Sequence, residues 1–105
     1  MAGVKLLATK VVKGDPKGLR ELADTLKERL GSGIIVLGCE NAGKANLLVA
    51  VTKDLTARFH AGKIIGILAP IIGGSGGGKP DLAQAGGSMV EKLDDALKKV
   101  RDLIG

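Results

Sequence analysis

Residues 73–87 read GGSGGGKPDLAQAGG, nearly half glycine around a polar centre of Lys79, Pro80, Asp81 and Gln84. Glycine loses more conformational freedom on folding than any other residue, so helices and strands normally exclude it. Any fold this chain adopts must therefore treat these fifteen positions as an exception. The pattern predicts a long loop, with at most a short strand over 82–85. Unstructured segments of that length inside a small domain are uncommon and are usually functional.

The rest of the chain is regular. Residues 4–12 are β-branched and partly alternating, which predicts a strand. Asp15 is placed to cap a helix whose first position is Pro16. Leu19, Leu22, Ala23, Leu26 and Leu30 then fall on one helical face, and Gly31 ends it. Residues 33–39 form a continuous apolar run, the pattern of a central strand covered on both faces. A turn at 40–44 leads into a strand over 46–52, and so short a connection predicts an antiparallel hairpin. Residues 53–59 are a polar connection. Residues 60–72 read as an apolar helix, with Ile64, Ile65, Leu68 and Ile72 inward and Pro70 kinking or ending it. Residues 88–104 read as a helix with a Ser88/Glu91 capping box and a stripe of Val90, Leu93, Leu97, Val100 and Ile104. The expected fold is α/β, a small mixed sheet carrying three helices in the order β-α-β-β-α-(β)-α, as one domain over 1–105. The abrupt start inside a strand points to a piece of a longer protein.

The chain of 105 residues carries a formal charge of +5, and its only aromatic is Phe59. Basic charge favours an anionic partner, phosphate backbones above all. One ring cannot form the stacking platform that single-strand binders use, which directs recognition toward backbone and shape. Cys39 stands alone, so there is no internal disulfide, and a reducing cytoplasmic setting is expected. No signal peptide or membrane-spanning run is visible.

The catalytic inventory is thin. With one His and one Cys, none of the usual zinc sites can be assembled. Cys39 and His60 would be the only nucleophile–base pair, but Cys39 lies in the most buried pattern of the chain. Glu21, Asp24 and Glu28, and likewise Glu91, Asp94, Asp95 and Asp102, sit at salt-bridge spacing on helix faces. Asp81 either folds its turn or touches a ligand. Residues 38–44 and 73–79 both fit G-x-x-x-x-G-K, but Ala45 and Pro80 stand where a P-loop needs Ser or Thr, and neither segment runs from strand into helix. What survives is a run of exposed backbone N–H groups at Gly76, Gly77 and Gly78 with Lys79 beside them, and a helix start at His60 to Lys63. Lys44, Lys53, Arg58 and Lys63 are candidate phosphate contacts, each also readable as a solvated surface charge.

The twelve residues Gly76-Gly77-Gly78-Lys79-Pro80-Asp81-Leu82-Ala83-Gln84-Ala85-Gly86-Gly87 resemble the glycine-rich signature near the C-terminus of alanyl-tRNA synthetases. The flanks agree: Lys53-Asp54-Leu55 after a strand, and His60-Ala61-Gly62-Lys63-Ile64 opening a helix. The chain departs from the family pattern at Lys79, where Arg is common, and at Ala85, where Gly is common. The resemblance covers essentially the whole chain, which is similar to the DHH-associated domain of subtype one. It implies a non-catalytic, tRNA-binding domain that helps the aminoacylation and editing domains of its parent enzyme engage one tRNA. The parent chemistry, with its ATP, magnesium and zinc, belongs to other domains, so no cofactor is expected here. Lys44, Lys53, Arg58, His60, Lys63, Gly76, Gly77, Gly78, Lys79, Asp81 and Gln84 are the expected RNA-binding residues. Two other roles fit the same features: a module that docks onto other domains or a second copy of the chain, and the substrate-binding module of a DHH-type phosphoesterase.

Overall fold

Unbroken burial of the central run decides the architecture. In the computed structural model, which describes residues 5–11 and 16–104, β2 (Ile34–Asn41) buries six successive residues, from Ile34 to Cys39. Successive residues of a strand face opposite ways, so β2 must be covered on both sides, and it is. Ile34 and Val36 face one layer, and Ile35, Leu37 and Cys39 face the other.

β2 turns directly into β3 (Lys44–Val51), antiparallel, through Ala42 and Gly43, both at positive φ. β1 (Leu6–Val11) pairs with β2 in parallel, which requires a crossover, supplied by α1 (Pro16–Leu30). α1 lays Leu19 and Ala23 on Ile35, Leu37, Leu48 and Ala50. The opposite face carries α2 (Ala61–Leu68) and α3 (Leu93–Ile104), which bury Ile65, Leu68, Leu93, Ala96 and Val100 against Val36, Leu47 and Val49. The result is three layers, one helix against two, with an aliphatic core; Phe59 packs only at its margin.

The glycine-rich segment is not a loop. Gly74–Gly78 forms a strand, β4, and Leu82–Gly87 forms another, β5; together they are an antiparallel hairpin that completes a five-stranded sheet in the order β1-β2-β3-β5-β4. The element order is therefore β-α-β-β-α-β-β-α, one strand more than expected. Glycine is required here by proximity. A Cβ on Gly74, Gly76 or Gly78 would fall 1.8, 2.4 and 2.5 Å from the carbonyl oxygens of Gly86, Gln84 and Leu82. Strand propensity misreads such a segment because it scores side-chain packing, and this strand is defined by the lack of it.

Two helices also differ from expectation. The helix expected over 60–72 is α-helical only to Leu68, and Ala69–Ile72 tightens into a 3-10 turn that stops at Gly73, φ 70°. Pro70 has no N–H to give to the carbonyl four residues back, so the last turn cannot continue as α-helix. The last helix begins at Leu93, after a 3-10 turn over Val90–Lys92, and no side chain caps that turn. The Met89 N–H bonds the Ile72 carbonyl at 2.9 Å, so a tertiary bond fixes the entry in place of the Ser88/Glu91 box. Asp15, Val4 and Val12 lie outside the described residues, as does the Ile104 side chain.

Candidate nucleic-acid interface

Three backbone hydrogen bonds gather six of the eleven sequence-predicted residues at one end of the sheet. The Val51 N–H donates to the Asp81 carbonyl (2.9 Å), the Ala61 N–H to Pro80 (2.8 Å), and the Lys79 N–H to Leu82 (2.8 Å). They tie the β4–β5 turn to the end of β3 and to the first turn of α2. The α2 backbone comes so close that a Cβ on Gly62 would lie 2.9 Å from the Gly78 carbonyl oxygen. Lys53, Arg58, His60, Lys63, Lys79 and Asp81 are thereby brought to one edge of the domain.

Their surroundings differ. Lys53, Arg58, Lys63 and Lys79 are exposed, while His60 and Asp81 are half-buried. The His60 Nδ1 accepts the Lys63 N–H at 3.2 Å, so the ring caps α2. Arg58 lies 5.5 Å from the Phe59 ring centroid, a cation–π contact across adjacent residues. Lys44 is not part of this edge. It opens β3, at the far end of an eight-residue strand, about 23 Å away at the usual rise.

No pattern in the sequence signals the clamp under Lys53. The Thr52 Oγ1 accepts the buried Gly33 N–H at 3.0 Å, and the Thr52 N–H donates to the Gly33 carbonyl at 3.1 Å. The Ser32 hydroxyl donates to the Asp54 carboxylate. Hydrogen bonds from Ser32 first, and then Thr52, hold the Asp54 carboxyl below its ordinary range. The 3-10 turn Lys53–Leu55 that carries Lys53 is thus tied to the start of β2.

A second feature lies on the face that α1 covers only in part. α1 shields β1 to β3, but the β5–β4 hairpin extends past it. Gln84 of β5 stands opposite Gly77 of β4, and its Oε1 accepts from Arg20 Nη2 at 3.4 Å. A hollow of about 290 Å³ lies there, bounded by Arg20, Gly77, Lys79 and Gln84. Next to it, sharing Gln84, is one of about 230 Å³ bounded by Leu19, Asn46 and Ser75. A third, of about 440 Å³, shares Asn46 and Ser75 and reaches Lys44. Arg20, Asn46 and Ser75 were not singled out by sequence reasoning. Arg20 reads as the solvated side of an amphipathic helix, and only the three-dimensional overhang gives it a role.

Among the described residues no three His, Cys, Asp or Glu side chains come together as a metal site, and no helix is long and apolar enough to cross a membrane. A model of the DHHA1 domain matches residues 3–105. The chain belongs to the DHHA1 domain family. This DHHA1 domain is 58% identical over 103 residues to the alanine–tRNA ligase of Anaeromyxobacter dehalogenans and 52% identical over 103 residues to that of Desulfosudis oleivorans. Each alignment covers 98% of this chain, but only 11% and 12% of the relative, so the chain spans about a ninth of the curated proteins it matches. The crystal structure of the C-Ala domain from Aquifex aeolicus alanyl-tRNA synthetase superposes with a TM-score of 0.89 at 27% identity, over 97% of this chain and 92% of that one. The resemblance read from residues 76–87 is thus shown, and so is the α/β fold class.

Proposed function

We propose that this DHHA1 domain binds tRNA, as the C-terminal domain of an alanine–tRNA ligase whose aminoacylation and editing domains it helps to engage the same molecule. The observation that carries the reading is the edge where Lys53, Lys63 and Lys79 converge on the bonded junction of β3, α2 and the β4–β5 turn. Cations set by backbone hydrogen bonds on three different elements make a defined phosphate-binding surface. Relatives that are alanine–tRNA ligases support the choice of RNA as the anion.

The test is a fluorescence-anisotropy titration of tRNA at several salt concentrations. Affinity falls with salt as neutralised phosphates release counterions, and Lys63→Ala and Lys79→Ala each shallow the log–log slope by about 0.7 to 0.9. If tRNA binding is undetectable at low salt, or if both substitutions leave slope and affinity unchanged, the docking-module role replaces this one.

A further inference from the structure

A sheet in the order β1-β2-β3-β5-β4 has two edges, and they are not equally fit to pair. β4 reads GSGGG and lacks the side chains that stabilise strand pairing. β1 reads LLATKV, an ordinary strand, and among the described residues no strand lies beyond it. An edge of that kind is a template for a further strand unless something closes it.

One bond fixes the direction of its backbone groups. The Ile34 N–H donates to the Lys5 carbonyl at 2.9 Å, and alternate residues of a parallel strand bond to the same neighbour. Lys5, Leu7, Thr9 and Val11 therefore face β2, and Leu6, Ala8 and Lys10 turn their N–H and C=O groups outward. Ala8 is the middle one, and its carbonyl is taken: Arg101 Nη2 donates to it at 2.9 Å. At the end of the strand Lys10 Nζ meets Asp94 Oδ1 at 3.2 Å. α3 thus lies along β1, tied to it from its first turn and from its last. The helix alone does not require the Arg101 bond, because a cation in the last turn favours the helix dipole equally well when solvated.

We propose that the β1 edge is a pairing surface fitted to a second copy of this chain, and that Arg101 holds it shut. The proposal is independent of the RNA-binding reading. A second β1 laid antiparallel along the edge, with the two-fold axis at Ala8, sets Leu6 against Lys10, Ala8 against Ala8 and Lys10 against Leu6. It is the one antiparallel register in which all three outward residues of both copies pair. Ala8 sits on the axis, so the two Arg101 guanidiniums meet at the centre. Each occupies the oxygen that the other copy's N–H needs, and the like charges repel. The block stands where an incoming copy has most to lose, and it leaves the β1–β2 ladder untouched.

The experiment is sedimentation velocity over a concentration series, with thermal melting alongside, on the 105-residue protein and three variants. Arg101→Gln removes the charge and shortens the reach. Arg101→Lys keeps a cation on the axis. Arg101→Gln combined with Ala8→Pro also removes the outward N–H, a change that edge strands tolerate. Arg101→Gln is expected to tighten self-association about tenfold or more, through hydrogen bonds gained at the axis. Arg101→Lys and the double variant are expected to associate like wild type. The proposal is overturned if folded Arg101→Gln associates no more tightly than wild type, if Arg101→Lys associates as Arg101→Gln does, or if Ala8→Pro fails to reverse the gain, which would place the contact elsewhere. Loss of cooperative melting in Arg101→Gln would also overturn it, because Arg101 would then serve the fold and not its edge.

Discussion

Gly76 and Gly77 are neighbours in one strand, and the geometry assigns them opposite responses to the same methyl group. At Gly76 an added Cβ would lie 2.4 Å from the Gln84 carbonyl oxygen and 2.5 Å from the Ala85 Cβ. Ordinary contact begins near about 3.5 Å, so β4 would have to move about 1 Å from β5 along most of its length. Forced overpacking of this kind costs about 1–3 kcal/mol. Because the atoms in the way are backbone and a β-carbon, no rotamer change can relieve it, and the upper half of that range applies. At Gly77 the methyl group meets nothing, and Gly→Ala at a compatible position gains about 0.4–1 kcal/mol by restricting the unfolded chain. In a domain of about 100 residues 1 kcal/mol moves the melting temperature by about 4 °C. Thermal unfolding followed by circular dichroism should therefore place Gly76→Ala about 8–12 °C below wild type and Gly77→Ala level with it or a few degrees above. Equal melting temperatures for the two variants would refute the close approach of β4 and β5.

Two further outcomes follow from burial and from the clamp under Lys53. Cys39 is fully buried between β2 and α1, so a thiol reagent should modify the native protein far more slowly than the urea-unfolded chain; equal rates would remove β2 from the centre of the sheet. Asp54, whose carboxyl Ser32 and Thr52 hold below its ordinary range, stabilises the fold at pH above the unfolded carboxylate value near 4. That contribution is lost as pH falls through the lower folded value. Asp54→Asn should therefore lower the melting temperature at pH 7, and the gap from wild type should narrow as pH falls below about 4; a gap that does not narrow on acidification would mean that the carboxylate charge is not what Ser32 stabilises.

What could be read from the sequence was whatever apolar periodicity encodes. The buried run 34–39, the α1 stripe at Leu19 and Ala23 and the short turn at 42–43 specify the β2–β3 hairpin and its cover without reference to anything distant. The β4 strand lies beyond that method, because its glycines answer to backbone atoms brought close only by the fold. The 3-10 entry to α3 was equally hidden: Ser88 and Glu91 satisfy a local rule, and the bond from Met89 to the Ile72 carbonyl, seventeen positions back, overrides it. Within the site, the signature segment marked Lys79 and Gln84, and the helix start marked Lys63. The fold then moved Lys44 to the other end of β3, gave the His60 ring a capping bond, and brought in Arg20, Asn46 and Ser75, whose types and neighbours carry no signal until α1 and the hairpin are side by side.

The sheet order also has a kinetic consequence. β2 and β3 are adjacent in sequence and can pair within a turn, but β5 joins β3 through contacts such as Ala50 with Leu82, across some thirty intervening residues. Closing a loop of that length costs entropy before any contact is gained, on the order of 3 kcal/mol by the logarithmic scaling. The glycine hairpin should therefore dock after the folding barrier is crossed, as a late-forming part of the native state. Gly76→Ala should then steepen loss of the fold by raising the unfolding rate and leave the refolding rate near that of wild type. In a chevron plot Gly76→Ala and wild type should share one refolding arm and separate on the other; a slowed refolding arm would place the β4–β5 hairpin in the nucleus. On this ordering the β4–β5 hairpin is the last part of the sheet to assemble and the first to open, so anything that holds it closed lengthens the lifetime of the whole fold.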